Sequence, residues 1–429
     1  MVSSVVADAL HALESNPFAY EADDFQAKLE RVVRLPKSRT IVEALEVGKV
    51  ALAEQRLLAI GHAEVLTGVE SILEQPPRVW KALPRERAAY VRIVKAAGRC
   101  YEALSRLAGT SSAMQQIRRD TWSACFGDTL YNALILEQVI KDHDVLILGE
   151  TGTGKEAIAE AIQLGQPGGL DGGRAPRNAL NAAAVPETLI ESELFGHVKG
   201  AFTGATVERK GRIRSAKGGC FFLDEVGDLR ETTQVKLLRV METNIVSPLG
   251  ADKGFVADVR YVAATHKDLE GMVDSGEFRR DLYERLAGHV IRLPPLRERR
   301  EDIPALGRIF AQRYLPKSGG EEVLERVEKW LRRVASRAYA WPGNVRELQN
   351  KLRSVMLGFE PEVALTPTAP SVDVPSGVLD ATASMRELTD WYLLRVLERS
   401  DHNFAAASRI LGVDRSTIRR RAKKLQQIS

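Results

Sequence analysis

Hydrophobic residues follow a helical spacing at both ends of the chain and a different pattern in the middle. In residues 1–106, apolar side chains recur at helical spacing, as in TIVEALEVGKVALAEQRLLAIGHAEVL. This period predicts amphipathic helices that bury one face. Pro76 and Pro77 interrupt the pattern, and because proline cannot donate a backbone hydrogen bond inside a helix, at least two helical groups are expected.

The central region, residues 107–297, has a mixed pattern. Short apolar and β-branched runs, such as DVLILGE, GCFFLDE and DVRYVAATH, alternate with helix-like segments. This alternation is typical of a parallel sheet with crossover helices. Residues 298–358 return to a helical pattern, and the proline-bearing residues 359–383 are typical of a linker. A last helical segment over 384–429 completes a multidomain chain of α/β plus all-α fold class.

The composition is that of a globular protein with more than one domain. The chain has 429 residues and a formal net charge of +4, and no apolar stretch approaches the length of a bilayer span. The N-terminus, MVSSVVADALHALESNPF, lacks the basic start and unbroken apolar run of a secretory signal. We therefore expect a cytoplasmic chain with no membrane segment. Its three cysteines include no CxxC pair, so neither a disulfide framework nor a zinc site is predicted.

A glycine-rich loop follows the first strand-like run of the central region. The run VLIL at 145–148 leads into this loop and then into the helical segment EAIAEAIQ. In this order, backbone amides and a helix N-terminus cradle phosphates, and Lys155 neutralises the β- and γ-phosphates of ATP. Glu156 stands where a Ser or Thr usually contacts Mg²⁺, so that position is not predicted to bind the metal. The expected nucleotide-binding residues of the loop are Gly149, Glu150, Thr151, Gly152, Thr153, Gly154, Lys155 and Glu156.

An acidic pair ends the second strand-like run. Asp224 and Glu225 follow CFFL, at the edge where a parallel sheet places its ligands. Asp224 is suited to hold Mg²⁺, and Glu225 to polarise the attacking water. Acidic pairs at strand ends are common, so this hypothesis depends on the glycine-rich loop upstream.

The segment between these motifs carries a specific resemblance. It contains ELFGHVKGAFTGA at 193–205, which resembles the diagnostic GAFTGA insertion of sigma-54-dependent transcription activators, bacterial enhancer-binding proteins of the AAA+ class. The P-loop of this family also carries a glutamate at the position of Glu156. Considered alone, the segment is a flexible loop with one exposed aromatic residue. The resemblance implies sigma-54 contact through Gly200, Ala201, Phe202, Thr203, Gly204 and Ala205.

Further segments resemble the nucleotide sensors of the family. In NAAAVPE, the resemblance implies that Asn181 holds the catalytic glutamate until the nucleotide state releases it. In AATHKDL, it implies that Thr265 and His266 read the γ-phosphate. In WPGNVREL, it implies that Arg346 reaches from a helical lid to the nucleotide.

The segment FRRDLYERL resembles the helix that supplies arginine fingers in this family. It implies fingers at Arg279 and Arg285, which act in trans on a neighbouring subunit in a homo-oligomeric ring, expected to be a hexamer. Arginines six positions apart do not share one clean helix face, so unrelated surface charges are the alternative. The chain departs from the family beside the insertion, where Val198 replaces a glutamate.

The resemblance also assigns the domains. It implies an AAA+ P-loop α/β core at 107–297, which is followed in the sequence by a helical lid at 298–358. Residues 1–106 lack the strand-end aspartate of a phospho-receiver domain and are interpreted as a helical regulatory domain, with a helical appendage without sensing as the alternative. The segment 120–142 is longer than expected before the first strand and carries no functional prediction.

The C-terminal segment resembles the Fis-type helix-turn-helix that ends many members of the family. The sequence FAAASRILGVDRSTIRRRAKKL predicts two helices joined by a turn at Gly412, with Asp414 as N-cap of the second helix, which starts at Arg415. The predicted core positions of the two helices are Ala406, Ala407, Ile410, Ile418, Ala422 and Leu425.

The second of these helices carries the predicted DNA contacts. A run of basic residues is commonly a solvated helix face, but here it coincides with the helix-turn-helix pattern. We expect a dimer to bind two half-sites in upstream double-stranded DNA. The expected major-groove residues are Arg415, Ser416, Arg419 and Arg420. The expected phosphate contacts are Arg421, Lys423 and Lys424.

These predictions combine into one function. The sequence predicts an activator that binds upstream DNA and uses ATP and Mg²⁺ to remodel the closed complex of sigma-54 RNA polymerase holoenzyme. Two alternatives remain, an AAA+ remodeller of other proteins and a DNA-binding regulator with a vestigial ATPase. The intact GAFTGA segment speaks against the first alternative. Intact Lys155, Asp224 and Glu225 speak against the second.

Overall fold

A computed structural model describes residues 4–69, 77–168, 172–316, 320–335, 339–361, 384–399 and 404–426. The chain divides into two compact units, Met1–Val363 and Ala364–Ser429, which are described separately. In the part of the chain that the structure describes, no helix is long and apolar enough to cross a membrane.

The first unit combines N-terminal helices, a parallel sheet and a C-terminal group of helices. Its helices are α1 (Ser4–Glu14), α2 (Ala22–Val33), α3 (Lys37–Glu46), α4 (Val50–Thr67), α5 (Pro77–Ala82), α6 (Arg87–Ser105), α7 (Ser112–Phe126), α8 (Leu130–Ile135), α9 (Glu137–Asp142), α10 (Lys155–Leu164), α11 (Ile190–Phe195), α12 (Arg212–Ser215), α13 (Glu231–Thr243), α14 (Leu269–Ser275), α15 (Arg280–Leu286), α16 (Ile303–Gln312), α17 (Glu321–Ala335) and α18 (Asn344–Met356). Its strands are β1 (Val145–Leu148), β2 (Arg177–Asn181), β3 (Gly196–His197), β4 (Arg209–Lys210), β5 (Cys220–Asp224), β6 (Ile245–Val246), β7 (Phe255–Val256), β8 (Arg260–Thr265) and β9 (His289–Arg292).

Five strands form one parallel sheet in the order β2-β5-β8-β1-β9. All six residues of β8 are buried, as expected for a central parallel strand covered on both faces. Strand β1 lies between β8 and β9, while the chain that leaves it continues to β2 at the far edge. Such a reversal of strand order opens a crevice at the carboxyl ends of the strands, where α/β sheets bind ligands. The predicted α/β fold class is confirmed.

The two faces of this sheet pack against different cores. Along β1, Val145 and Ile147 point into one core and Leu146 into the other, which is the alternation of a strand. The N-terminal helices belong to the first core, where Leu57 of α4 and Val94 of α6 are fully buried. The hydrophobic core therefore continues across the predicted domain boundary at residue 106.

Helix α6 also holds the helix that follows the glycine-rich loop. The Arg99 guanidinium donates to the carbonyls of Leu164, Gln166 and Gly172 at 3.1, 3.3 and 3.0 Å. These carbonyls lie at and beyond the C-terminus of α10, where a helix leaves acceptors unpaired. The N-terminal helices are thus joined to the nucleotide-binding region by polar contacts as well as by a shared core.

Helices α16, α17 and α18 form a third core of their own. It includes Trp330 and Trp341, whose rings meet edge-to-face with centroids 6.5 Å apart. Buried Asp302, just before α16, accepts from the backbone amides of Thr110 and Ser111 at 2.7 and 2.8 Å. The helical group predicted at 298–358 is therefore anchored to the start of the central region.

The second unit contains three described helices. They are α19 (Met385–Arg399), α20 (Phe404–Leu411) and α21 (Arg415–Gln426). Leu393 and Leu397 of α19 pack with Ala407 of α20 and Ile418 of α21 in one small core. The linker predicted at 359–383 lies mostly outside the described residues, which end at 361 and resume at 384.

Candidate functional site

The glycine-rich loop connects β1 to α10 at the crevice of the sheet. Gly152 has a φ of +80°, and a Cβ atom there would lie 2.5 Å from the carbonyl oxygen of Gly343. Only glycine fits such a close approach of two backbones. The amide of Val345, at the start of α18, donates to the Gly152 carbonyl at 3.0 Å, so the loop is in direct contact with the helical lid.

Lys155 begins α10 and extends beneath this loop. It is only 7% exposed, and its Nζ donates to the carbonyl of Gly149 at 2.7 Å. Burial lowers the pKa of Lys155, while the nearby carboxylates of Glu225 and Asp224 oppose that shift. The amine is thus held at the place where a phosphate would take over its carbonyl contacts.

Glu225 lies directly across from this lysine at the end of β5. Its Oε1 is 3.9 Å from Lys155 Nζ, and its Oε2 accepts from Thr265 Oγ1 at 3.2 Å and approaches His266 Nδ1 at 2.8 Å. Its φ of +54° is unusual for a glutamate and turns the residue away from the strand direction. The two predicted sensor residues therefore hold the predicted catalytic base.

Asn181 contacts a different carboxylate from the one predicted. Its Nδ2 donates to Asp224 Oδ2 at 2.8 Å, because β2 and β5 pair in a register that places Asn181 beside Asp224. The expected hold of Asn181 on Glu225 is therefore wrong in this structure. Burial, followed by the charge of Glu225, raises the pKa of Asp224.

The cavity at the crevice has a volume of about 650 Å³ and brings most of the predicted residues together. Four of the predicted nucleotide-site residues do not line it, namely Gly149, Glu150, Thr153 and Thr265. Two adjacent carboxylates next to a lysine suit Mg²⁺, which uses one or two protein carboxylates together with substrate phosphates. Among the described residues, no group of three or more His, Cys, Asp or Glu side chains could form a metal cage. The predicted residues that line the cavity are Thr151, Gly152, Gly154, Lys155, Glu156, Asn181, Asp224, Glu225, His266 and Arg346.

Three residues that sequence reasoning missed connect the loop to the lid. The fully buried Asn344 donates from Nδ2 to Glu150 and to the Thr151 carbonyl, both at 3.1 Å. Arg297 makes a two-pronged contact with the Glu150 carboxylate at 2.7 and 2.9 Å. Arg299, only 2% exposed, donates to the Thr153 carbonyl at 2.8 Å. The sequence offered one signal, since Asn344 stands inside the quoted segment WPGNVREL.

The two candidate arginine fingers do not line the cavity of their own chain. Arg279 precedes α15 and pairs with Asp281, an exposed contact at 2.8 Å that raises the pKa of Arg279. Arg285 lies on α15, with its guanidinium 3.5 Å from Asp144 Oδ2. Both side chains are more than one third exposed, so a second molecule can reach them.

The GAFTGA segment forms the tip of a hairpin between β3 and β4. Phe202 is 38% exposed, and its ring lies edge-to-face with that of His197 at 5.0 Å. His197 is buried and its Nδ1 lies 2.7 Å from Ser192 Oγ. Thr203 is exposed. The hairpin thus presents the two predicted contact residues on a base fixed by a buried histidine.

A second hairpin, β6–β7, lies against the first. The amide of Val198 donates to the Leu249 carbonyl at 3.1 Å, and the amide of Leu249 donates to the Gly196 carbonyl at 2.9 Å. A Cβ atom on Gly250 would lie 2.9 Å from Ala201 Cβ, so the two hairpins are in close contact. The position at which Val198 departs from the family therefore lies at this contact.

The three helices of the second unit are arranged as a helix-turn-helix. Asp414 Oδ1 accepts from the Ser416 amide at 2.8 Å, which confirms Asp414 as the cap of α21. Ile418 and Ala422 are buried as predicted. The predicted groove residues are all exposed, namely Arg415, Ser416, Arg419 and Arg420.

One prediction for this unit is wrong. Ile410 is 56% exposed, because the face of α20 that packs into the core carries Phe404, Ala407 and Leu411. Arg421, expected to contact phosphates, donates from Nε to Asp390 of α19 at 2.6 Å, and its contact with DNA stays a prediction. The side chains of Ala406, Lys423, Lys424 and Leu425 lie outside the described residues.

Comparisons with protein families agree with these elements in order. Residues 130–292 match the Sigma-54 interaction domain, residues 297–368 match an AAA+ ATPase lid domain, and residues 391–425 match the bacterial regulatory proteins of the Fis family. The interaction-domain match covers the GAFTGA hairpin and the cavity residues of the sheet region, and the lid match covers Arg346. The Fis-family match covers parts of all three helices of the second unit.

Several curated proteins and solved structures are similar to the chain. It is 44% identical over 291 residues to the transcriptional regulatory protein ZraR of Klebsiella oxytoca, covering 65% of this chain and 62% of ZraR. It is 37% identical to the anaerobic nitric oxide reductase transcription regulator NorR of Citrobacter koseri, covering 76% of this chain and 66% of NorR. A crystal structure of NtrX from Brucella abortus in complex with ATP is 27% identical, covers 80% of this chain and 76% of NtrX, and superposes with a TM-score of 0.46.

A longer alignment determines the family. The chain spans less than two thirds of ZraR and about two thirds of NorR. With the DNA-binding transcriptional regulator NtrC of Azospirillum brasilense it shares 34% identity over 440 residues, which covers 92% of this chain and 82% of NtrC. The chain therefore belongs to the family of sigma-54-dependent transcriptional activators, with an AAA+ ATPase domain, its lid and a Fis-type helix-turn-helix.

Proposed function

We propose that this chain hydrolyses ATP in a ring and uses the energy to open promoters held by sigma-54 RNA polymerase. The observation that carries the proposal is the position of Glu225, held by Thr265 and His266 and 3.9 Å from the P-loop Lys155. A carboxylate fixed beside a phosphate-binding lysine is suited to activate water for phosphoryl transfer.

The residues of the cavity divide the chemistry among them. Lys155 and the loop amides bind phosphate charge, and Asp224 offers oxygen to Mg²⁺, which neutralises phosphate charge when bound. Glu225 accepts the proton of the attacking water, and its contact with His266 lets the first sensor respond to loss of the γ-phosphate. Arg346 lines the cavity from the lid. Closure of the lid is expected to exclude bulk water from the reacting groups.

The fingers complete the site from a neighbouring subunit. Arg279, just before α15, and Arg285, on α15, are partly exposed and lie outside the cavity of their own chain. We propose that they reach the γ-phosphate bound by the next subunit, where such fingers contribute about 10³ to 10⁵ in rate. An isolated subunit is then a poor ATPase, and assembly into a ring, expected to be a hexamer, switches hydrolysis on.

The other regions deliver and use this energy. The tip of the hairpin, with Phe202 and Thr203, contacts sigma-54, and the helix-turn-helix at 384–429 binds upstream DNA.

Residues 1–106 are proposed as a helical regulatory domain, and the Arg99 contacts at the end of α10 connect this domain to the nucleotide site. A packing appendage without sensing is the alternative for this region.

In vitro transcription with sigma-54 holoenzyme tests the proposal against its two alternatives. On a template with a sigma-54-type promoter, the wild-type chain is expected to form open complexes only with ATP, and Lys155→Ala to form none. An AAA+ protein remodeller hydrolyses ATP without opening the promoter. A regulator with a vestigial ATPase binds the template without hydrolysis.

A further inference from the structure

Arg285 does not stand free on α15 but is held by the segment that leads into β1. Its Nη1 donates to the carbonyl of Asp142 at 3.3 Å, and its Nη2 lies 3.5 Å from Asp144 Oδ2. The Asp144 side chain is 1% exposed, whereas that of Arg285 is 36% exposed. One end of this pair is therefore buried in the protein, and the other faces solvent.

Asp144 joins three elements at this point. Its Oδ1 accepts from the amide of Tyr261 on β8 at 2.8 Å, and its backbone carbonyl accepts from the amide of His289 on β9 at 3.0 Å. Its Oδ2 faces Arg285 on α15. Asp144 also comes directly before β1, whose other end enters the glycine-rich loop.

The surroundings of this carboxylate contain few competing partners. Asp144 Oδ2 and Arg285 Nε are buried without a hydrogen-bond partner among the described residues. The same holds for Tyr261 Oη, Arg260 Nη1 and His289 Nε2. Since a charge interaction is stronger where water is excluded, the pair with Asp144 dominates the orientation of the Arg285 guanidinium.

We propose that Asp144 is the positioning residue of the arginine finger Arg285 and that it couples this finger, through β1, to the P-loop of the same subunit. The proposal rests on the trans role of Arg285 in the proposed function. A shift of β1 on nucleotide binding in one subunit then moves the finger that serves the neighbouring subunit. No such link exists for Arg279, whose partner Asp281 is 45% exposed.

Protonation offers a readout that a purely structural role would not move. Burial raises the pKa of Asp144 to about 7, the hydrogen bond from the Tyr261 amide and the charges of Arg285 and Arg260 oppose this shift, and Asp142 adds to it. The other titratable groups around Asp144 are Tyr261 on β8, His289 on β9 and Cys220 on β5, with His143 and Asp120 of α7 beside His289. Burial lowers the pKa of His289. Because only the carboxylate form attracts Arg285, kcat of the wild-type ring is expected to fall as the pH drops through about 7.

The test uses Asp144→Asn in the full-length chain. Asparagine keeps an oxygen for the Tyr261 amide but loses the charge that holds Arg285. We expect kcat for ATP to fall roughly tenfold to a hundredfold, the range expected when a catalytic group is misplaced by about an ångström. Nucleotide affinity should change far less than kcat, because Asp144 lies at the opposite end of β1 from the cavity and does not line it. The fall of kcat near pH 7 should disappear, and Asp144→Glu should restore part of the activity.

Mixing experiments separate a finger defect from a general defect. Asp144→Asn subunits keep a sound nucleotide site, and Glu225→Gln subunits keep a sound finger. A mixture of the two should therefore be more active than either variant alone, as should a mixture of Arg285→Ala with Glu225→Gln. Glu54→Gln is a matched control, because Glu54 is buried and paired with Arg85 in the N-terminal helices. Any loss it causes should not be restored by mixing.

The outcomes distinguish the two levels of the argument. If neither Arg285→Ala nor Asp144→Asn is complemented by Glu225→Gln, the trans site of the proposed function fails. If Arg285→Ala is complemented and Asp144→Asn is not, Asp144 has only a structural role and the inference is overturned. Should Asp144→Asn fail to fold, a wild-type kcat that does not change across pH 7 overturns it instead.

Discussion

The nucleotide cavity and the GAFTGA hairpin both belong to the first compact unit, but they are held together by different kinds of contact. In the cavity, polar groups from distant parts of the chain hold one another, as Asn344 holds Glu150 and Thr151 from nearly two hundred residues away. The hairpin comes from one continuous stretch. Gly200 and Gly204 there have positive φ values, and nothing within 4 Å would meet an added Cβ.

This difference separates chemistry from its output. Phosphoryl transfer needs reacting groups that are held to within a fraction of an ångström. Hydrogen bonds between elements that are distant in the chain provide this precision. A partner contact that changes during a cycle needs a segment with few bonds of its own. The base of the hairpin is fixed by His197 with Ser192 and by the contact between Val198 and Leu249, whereas most of the hydrogen bonds at its tip are short-range backbone bonds within residues 198–206. Substitutions in the two regions should therefore have separable effects.

The largest expected effect is at Glu225. Glu225→Gln keeps the size of the side chain but removes the proton acceptor, so ATP should still bind while kcat falls roughly 10² to 10⁴-fold. Phosphate release under saturating ATP measures kcat, and a fluorescent ATP analogue measures binding. Glu270→Gln, an exposed glutamate paired with Arg292, serves as the control. Turnover near the wild-type rate in Glu225→Gln would remove Glu225 from its role as base.

The second prediction concerns the hairpin. Thr203→Ala or Phe202→Ala should leave much of the ATPase activity but reduce open-complex formation by more than about tenfold, since a central contact residue can carry 2 kcal/mol or more. Both activities can be measured on the same preparation. Val207→Ala, which alters an exposed residue of the same hairpin, is the matched control. Equal loss of both activities would mean that the cavity and the hairpin are not separable.

The sequence could predict parts of the fold and site that are local in the chain. Strand, glycine-rich loop and helix follow one another directly, and Asp224 with Glu225 ends a strand in the same way. The sheet then brings Lys155 and Glu225 together because parallel strands share an edge. Partners set by register were not predictable, and Asn181 consequently reaches Asp224 where Glu225 was expected.

Packing between helices was the other limit. Periodicity placed Ile410 in a core, but it could not show that α20 turns Phe404, Ala407 and Leu411 toward the core and leaves Ile410 exposed. Likewise, the charge of Arg421 was visible, whereas its partner Asp390 depends on how α19 crosses α21. Helical spacing also predicted the N-terminal helices without indicating that they share a core with β1.

The helix-turn-helix extends the comparison to a third surface, whose exposed side chains stand on a packed helix. Arg419→Ala should weaken binding to the specific site by about 1 to 3 kcal/mol and relax discrimination at the base it reads. Arg420→Ala is the matched substitution for comparison, because Arg420 is the neighbouring predicted major-groove residue of α21. Binding curves on specific and unrelated DNA distinguish base contacts from phosphate contacts, because loss of a phosphate contact weakens both alike.

Truncation provides the control for this third surface. A chain that ends at Glu360 lacks the whole second unit, and it should lose site-specific binding. A footprint on upstream DNA compares it with the full chain. If the truncated chain protects the DNA site as well as the full chain does, the assignment of DNA binding to residues 384–429 is wrong.

The smallest expected effect tests whether every contact of the cavity matters equally. Arg297 and Glu150 are each roughly 40% exposed, and hydrogen bonds from Arg297 and Asn344 lower the pKa of Glu150. Exposed ion pairs contribute only about 0.2 to 1 kcal/mol, so Arg297→Ala should raise the Kd for ATP less than about fivefold. The effect should shrink further at high salt, which screens such pairs. Asn344→Ala should cost more, because Asn344 is fully buried and its loss leaves the buried amide of Leu296, together with Glu150 and the Thr151 carbonyl, without a partner. Titration with a fluorescent ATP analogue at low and high salt measures the Kd of both variants. If Arg297→Ala loses more affinity for ATP than Asn344→Ala, the contact between loop and lid depends on the surface ion pair and not on the buried amide of Asn344.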